Sequence, residues 1–286
     1  MVQFNISQRE ITLKVVYYGP ALSGKTTNLQ AIHRLVQPEC RGRLMTLDTQ
    51  DDRTLFFDLL PIHFTSASGF KVKIKLFTVP GQVMHNSTRR IVLNGADAIA
   101  FIADSQVSQH RANSDSWRNM LENLKENVLR YEDMPIVIQF NKRDLPEIRT
   151  DEEIARVVRQ SREPVYKAVA VRGEGVLETL HGLLDLSWGK LEDKYEIGRK
   201  FGLGREAFLK SVFTFMAPDA VSTMSGSGPR TMPGAAALAS GGSVASQHAM
   251  PQPVGVNAPA GGGQAGGTNG HDDGPPKTMP GGPGAA

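Results

Sequence analysis

Along the first two thirds of the chain, apolar positions fall into short dense runs separated by stretches with helical spacing. Val2–Ile6 and Ile11–Tyr18 are apolar stretches joined by Ser7-Gln8-Arg9-Glu10, a candidate hairpin turn. Within the second, Leu13–Tyr18 is rich in β-branched and aromatic residues and reads as a buried strand. After Gly24, the residues Leu29, Ile32, Leu35 and Val36 share one helical face until Pro38 ends the pattern. Strands are predicted at Thr54–Leu60 and Val72–Val79. Ala98–Ala103 and Ile136–Phe140 are almost wholly apolar, as parallel strands covered on both faces are. Between these two, Trp117, Leu121, Leu124 and Val128 predict a helix over Ser114–Arg130. Thr150, with Glu153 following it, marks a helix start near Asp151. Val165–Val171 reads as the last strand and Val176–Leu191 as the last core helix. Strands and helices alternating in this way predict a doubly wound, mostly parallel α/β sheet.

The pattern changes after this domain. Glu192–Met216 reads as helical, with Phe208, Leu209, Val212 and Phe213 in one apolar stripe. A helix docked on the domain is the plain reading; binding to a partner or a membrane surface is the other. From 219 onward Gly, Pro, Ala, Ser and Thr dominate, with almost no aromatics. Such a segment buries too little apolar surface to offset its ordering entropy and is expected to be disordered. The expected organisation is therefore a domain over 1–190, a helical extension over 191–218 and a disordered tail over 219–286. Within the tail, Pro229-Arg230-Thr231-Met232-Pro233-Gly234 recurs almost unchanged as Pro276-Lys277-Thr278-Met279-Pro280-Gly281. A docking motif and a mere duplication both fit this repeat.

Composition narrows the function classes. With 40% hydrophobic residues among 286, the chain can pack a core. A formal charge of +3, with basic and acidic residues intermixed, gives no nucleic-acid footprint. A single cysteine, Cys40, excludes an internal disulfide and suits a reducing compartment. The N-terminal stretch carries charge where a signal peptide has its apolar core. No run approaches the roughly 18 apolar residues of a membrane span. A soluble, cytoplasmic protein without a transmembrane segment is expected.

Chemistry enters at Gly19-Pro20-Ala21-Leu22-Ser23-Gly24-Lys25-Thr26, which fits GxxxxGK[ST] between a strand and an amphipathic helix. Glycines let backbone N–H groups turn onto phosphates, and the helix N-terminus adds positive potential. Lys25 reaches the outer phosphates, and the Thr26 hydroxyl serves Mg²⁺. The segment is expected to be a phosphate-binding loop of the P-loop kind, with a chance match in a random loop as the other reading. Asn141-Lys142-Arg143-Asp144 follows the strand at Ile136–Phe140. It is the NKxD pattern of guanine-binding proteins. A carboxylate at Asp144 can accept hydrogen bonds from guanine N1–H and the 2-amino group, which adenine does not present, while the Lys142 stem lies on the base. Thr78-Val79-Pro80-Gly81-Gln82 closes another strand where Ras-like proteins have Asp-x-x-Gly. Thr78 stands in for the Asp, the Gly81 amide would sense the γ-phosphate, and Gln82 stands where Ras has its water-positioning glutamine.

Taken together, GPALSGKTTNLQ, TLDTQDDRTLFFDLLP, LFTVPGQ and VIQFNKRDLP resemble the MglA family of polarity and gliding-motility GTPases of rod-shaped bacteria. The resemblance covers about residues 8–190, and Thr78 in place of Asp is a trait of that family. It implies a small Ras-like GTPase that binds GTP or GDP with Mg²⁺. The nucleotide contacts would come from Gly19, Leu22, Ser23, Gly24, Lys25, Thr26, Thr27, Thr54, Thr78, Gly81, Asn141, Lys142, Asp144 and Ala170. Thr26 and the switch I residue Thr54 would serve the metal, and Gln82 and Arg53 would be catalytic. On residue type alone Arg53, beside Asp51 and Asp52, is a surface arginine; the resemblance makes it an intrinsic arginine finger. Ala170 takes the place of the alanine in the guanine loop of Ras, flanked here by Val169 and Val171. Two loops, around Thr46–Leu60 and Gly81–Asn94, would be held by GTP and released on hydrolysis. Without a carboxylate at position 78 the metal site is expected to be loose and turnover slow. The resemblance implies stimulation by a Roadblock/LC7-domain partner of the MglB type, and effectors of polarity or motility. A GTP-dependent scaffold that does not hydrolyse GTP is the alternative, and an ATP-dependent P-loop enzyme is disfavoured by Asn141–Asp144.

Overall fold

The computed structural model describes residues 2–5, 7–47, 57–66, 69–82 and 85–216; Arg53, Thr54 and the tail lie outside them. In chain order come β1 (Gln3–Asn5), β2 (Glu10–Tyr18), α1 (Lys25–Leu35), β3 (Met45–Leu47), β4 (Phe57–Thr65), β5 (Lys71–Thr78), α2 (Asn86–Leu93), β6 (Ala98–Asp104), α3 (His110–Glu126), β7 (Ile136–Asn141), α4 (Asp151–Gln160), β8 (Val165–Lys167), α5 (Val176–Tyr195), α6 (Ile197–Phe201) and α7 (Arg205–Met216). One sheet runs β3-β4-β5-β2-β6-β7-β8, with β1 paired to β2. From β5 through β8 the pairs are parallel, whereas β1/β2, β3/β4 and β4/β5 are antiparallel. The fold is α/β with helices on both faces of the sheet.

Burial follows from position in the sheet. β6 and β7 are buried at every residue, and their continuous apolar runs are what a doubly covered strand needs. β4 and β5 alternate between buried and open residues, as antiparallel strands with one wetter face do. Side chains of β2 divide between two cores. Ile11, Leu13, Val15 and Tyr17 pack with residues of α1, α5 and α7, while Val16 and Tyr18 pack with residues of α2, α3 and α4. That division follows from the two-residue period of a strand.

Several boundaries differ from the sequence expectation for identifiable reasons. β4 continues past Pro61 to Thr65. The Pro61 carbonyl accepts from Gly42 N at 2.8 Å, so its nitrogen also points away from β5, and the missing N–H costs no bond in the β4–β5 ladder. The helix expected over Ser114–Arg130 starts at His110 and stops at Glu126, because Val128 turns to φ 57 and lies 88% exposed. The strand expected over Val165–Val171 ends at Lys167, where the chain turns to deliver Ala170 to Asn141. Thr150 caps α4 with a full capping box closed by Glu153. The stretch from Glu192 is broken by Glu196 at φ 53 and by Gly202 at φ 67 before α7 begins. In α7, Phe208 is buried and stacks on Trp188 with ring centroids 4.7 Å apart.

Candidate functional site

β2 ends at Tyr18, and the chain then turns through Gly19–Gly24 into α1. Gly24 takes φ 96, and a Cβ there would meet Asn141 Nδ2 at 2.2 Å, so any side chain strains the backbone and strikes the next loop. Ser23 is fully buried, and its hydroxyl has no hydrogen-bond partner among the described residues. Leu22 stands at the crest with φ 59 and its side chain open to solvent, so what it can offer a ligand is backbone. Lys25 is buried and its Nζ donates to Pro20 O at 2.6 Å and Gly19 O at 3.1 Å. Burial above all, and then the charge of Arg89, lower its pKa to about 7, with Asp58 pulling the other way. A buried ammonium held by neutral carbonyls at a helix N-terminus is a setting that favours an anion.

The facing wall holds a carboxylate that motif reading passed over. Asp58, on β4, is 6% exposed. It accepts from Thr26 Oγ1 at 2.6 Å, Thr46 Oγ1 at 2.9 Å and Thr78 Oγ1 at 2.9 Å. Its amide also donates to Thr78 Oγ1 at 2.8 Å. A carboxylate thus stands beside Thr78, on the adjacent antiparallel strand. Strand parity carries the signal: Asp58 falls in phase with Leu60, Ile62 and Phe64, the buried side of β4. A cavity of about 370 Å³ opens between these walls, lined among others by Lys25, Thr26, Thr27, Asp58, Thr78 and Gly81. Gly81 closes tightly on the phosphate loop, since a Cβ there would lie 2.2 Å from Ala21 Cα.

A third group of loops is tied to the first by Asn141. Its Nδ2 donates to Ser23 O at 2.9 Å, and its Oδ1 accepts from Ala170 N at 2.9 Å. Both ends of the amide, and the Ala170 N–H, are therefore engaged within the protein; Asn141 acts as a tie between the phosphate loop and the 168–175 turn. Lys142, at φ 65, donates from Nζ to Asp104 Oδ2 at 2.6 Å, which holds its stem in place. Asp144 is exposed on the same loop. Gln82 is exposed beside Gly81, and its carbonyl accepts from His85 N at 3.2 Å. Beneath this loop sits a second residue that motif reading passed over, Arg89, whose guanidinium donates to Pro80 O and Gly81 O.

No family model matches the chain. It is 46% identical over 182 residues to the mutual gliding-motility protein MglA of Myxococcus xanthus strain DK1622, a match that covers 64% of this chain and 93% of that protein. The chain belongs to the MglA family of small GTPases.

For an MglA-family GTPase the implied ligands are a guanine nucleotide and Mg²⁺, and the residues present fit both. The Ser23 hydroxyl and Lys25 ammonium suit phosphate oxygens. Thr26 and the Asp58 carboxylate, which Thr78 holds in place, offer hard oxygen donors, the chemistry Mg²⁺ takes when phosphates complete its shell. Among the described residues no group of three or more His, Cys, Asp or Glu could hold a metal by itself. No helix among them is long and apolar enough to cross a membrane.

Proposed function

We propose that this MglA-family protein binds GTP with Mg²⁺ between the Gly19–Thr27 loop and Asp58, selects guanine through Asp144, and hydrolyses GTP to switch a motility or polarity system. The observation that carries this reading is the convergence of Lys25, Thr26, Asp58, Thr78 and Gly81 on one cavity, tied by Asn141 to the loop bearing Asp144.

In this reading Thr26 and Asp58 hold the metal, with Thr78 fixing the Asp58 carboxylate from behind. Bound there, Mg²⁺ would neutralise charge on the phosphates, which is most of what phosphoryl transfer asks of an active site. Lys25 adds a buried positive charge, and backbone N–H groups of the loop orient the phosphates. Gln82 orients the attacking water and Arg53 completes the charge balance; Gln82 lies exposed at the rim, where a partner could fix it. That supports slow intrinsic hydrolysis raised by a Roadblock/LC7-domain activator, with effectors recruited in the GTP state. Gliding motility is what the name of the Myxococcus relative describes, and we extend it to this chain.

The test is single-turnover GTP hydrolysis with and without such an activator, beside competition of ATP against GTP. Arg53→Ala and Gln82→Leu should each lose most of the stimulated rate. Full stimulated rates in both variants reject their catalytic assignment, and preference for ATP rejects the guanine assignment.

A further inference from the structure

α2 buries a full positive charge beneath the loop that closes the nucleotide cavity. Arg89 is 1% exposed. Taking a guanidinium out of water is costly unless its donors are satisfied. Here Nε donates to Pro80 O at 2.8 Å, Nη2 to Gly81 O, and Nη1 to Asn119 Oδ1 at 2.7 Å. The cation also lies 5.6 Å from the centre of the Tyr18 ring.

The partners divide into a fixed side and a held side. Asn119, on α3, accepts from Tyr18 OH at 2.7 Å and donates to Asn86 Oδ1 at 2.9 Å. Asn123, one turn on, donates to Tyr18 OH and to Asn86 Oδ1, each at 2.9 Å. Arg89 therefore stands on a partly buried polar network joining β2, α2 and α3. Its other hands grip consecutive peptide groups. The Pro80 carbonyl belongs to the peptide whose N–H is that of Gly81, and the Gly81 carbonyl to the peptide whose N–H is that of Gln82. The described peptide bonds are trans, so fixing each carbonyl aims its N–H in the opposite sense. Gly81 also abuts Ala21 of the phosphate loop, and Pro80 and Gly81 both line the cavity. Arg89 lies close enough to the cavity for its charge to bear on Lys25.

We propose that Arg89 is a positioning residue for GTP hydrolysis: it aims the Gly81 amide and fixes Gln82 by holding both peptide groups that flank Gly81, without touching nucleotide. The inference rests on the hydrolytic reading above. It separates hydrolysis from GDP binding, because the phosphate loop and the Asn141–Asp144 loop make no hydrogen bond to this arginine.

The experiment compares wild type, Arg89→Lys and Arg89→Gln in single-turnover GTP hydrolysis at saturating GTP, and in fluorescent-GDP affinity. The hydrolysis rate is expected to fall about ten- to hundredfold, less than the roughly hundred- to thousandfold of losing a preorganised donor outright, because the Gly81 amide is misaimed and not removed, while GDP affinity stays within about threefold. Arg89→Lys, which keeps the charge but cannot grip both carbonyls, should not restore the rate. Folded Arg89 variants with the wild-type rate overturn the proposal, and so does an equal loss of rate and GDP affinity. If neither variant folds, Asn119→Ala decides. It removes the anchor, along with the bonds of Asn119 to Tyr18 and Asn86, while leaving the guanidinium and both carbonyls in place, and should lower the rate at least threefold with GDP affinity kept; an unchanged rate overturns the proposal. Wild-type protein that takes up GTP and never releases phosphate fails differently, and sinks the hydrolytic reading on which this inference stands.

Discussion

Asp58 and Thr78 satisfy each other across the β4–β5 seam. The threonine hydroxyl donates to the carboxylate at 2.9 Å and accepts from the aspartate amide at 2.8 Å. The hydroxyl at position 78 is thus the partner of an acid placed one strand away, so restoring the acid of other small GTPases at 78 should be harmful. Thr78→Asp sets two buried carboxylates side by side and removes a donor. We expect a loss of about 3 kcal/mol in urea unfolding, the range for an uncompensated buried charge. The exchange Asp58→Thr with Thr78→Asp restores one acid and one hydroxyl and should recover most of that loss. Thr78→Asp alone matching wild type would show that the pair is not coupled.

Lys25 gives the nucleotide-free protein a definite pH dependence. Burial, reinforced by Arg89, lowers its pKa from 10.5 to about 7 in the folded state. Between those values the unfolded chain holds a proton that the folded one has released. Unfolding therefore takes up protons, and stability from this group rises with pH from about 7 to 10.5, by at most about 1.4 kcal/mol per pH unit. Below pH 7 both states are charged and the contribution is flat. Urea melts of wild type and Lys25→Met at pH 7.5 and 9 check this. The wild type should gain stability relative to the variant as pH rises, and parallel curves count against it.

Much of this was legible from residue patterns, and the exceptions share a cause. Ala98–Ala103 and Ile136–Phe140 announced themselves as doubly buried strands because continuous apolar runs leave few alternatives. The phosphate loop was legible because its glycines answer to a backbone shape that few residues allow. Asp58 was not, because its role depends on Thr78 being hydrogen-bonded to it, and pairing between strands is not local in sequence. Arg89 was hidden for the same reason: on a helical pattern an arginine reads as solvated, and only the tertiary placement of Asn119 and Gly81 buries it. β3 was missed because a three-residue edge strand has too short a pattern to stand out.

The end of α3 offers a stability gain. Leu129 N donates to Leu124 O at 2.9 Å and Val128 N to Lys125 O at 3.0 Å, which closes the helix with Val128 in the left-handed region at φ 57. A β-branched residue is strained there, and at 88% exposure its side chain packs on little. Val128→Gly should raise stability by about 0.5–1 kcal/mol, the relief of strain exceeding the added freedom of the unfolded chain. Thermal unfolding checks the sign, and a lowered midpoint contradicts the strain.

The last helix should prove part of the cooperative core. Phe208 is fully buried, stacks on Trp188 of α5 at 4.7 Å and lies 6.0 Å from Phe64 of β4. Two aromatic neighbours on different elements leave no easy route for the site to collapse, so Phe208→Ala should cost about 3–5 kcal/mol. Phe208→Leu, which keeps most of the volume, should cost less than half of that. Leu209, the next residue and only half-buried, should cost less again when changed to alanine. Urea unfolding followed by fluorescence in a Trp117→Phe background is the apt measurement, because the remaining tryptophan, Trp188, is the ring against which Phe208 stacks. A single transition shifted by these amounts places α7 within the folding unit that carries Asp58. A separate early transition in wild type, with Phe208→Ala affecting only that step, would mean that α7 melts on its own and lends β4 nothing.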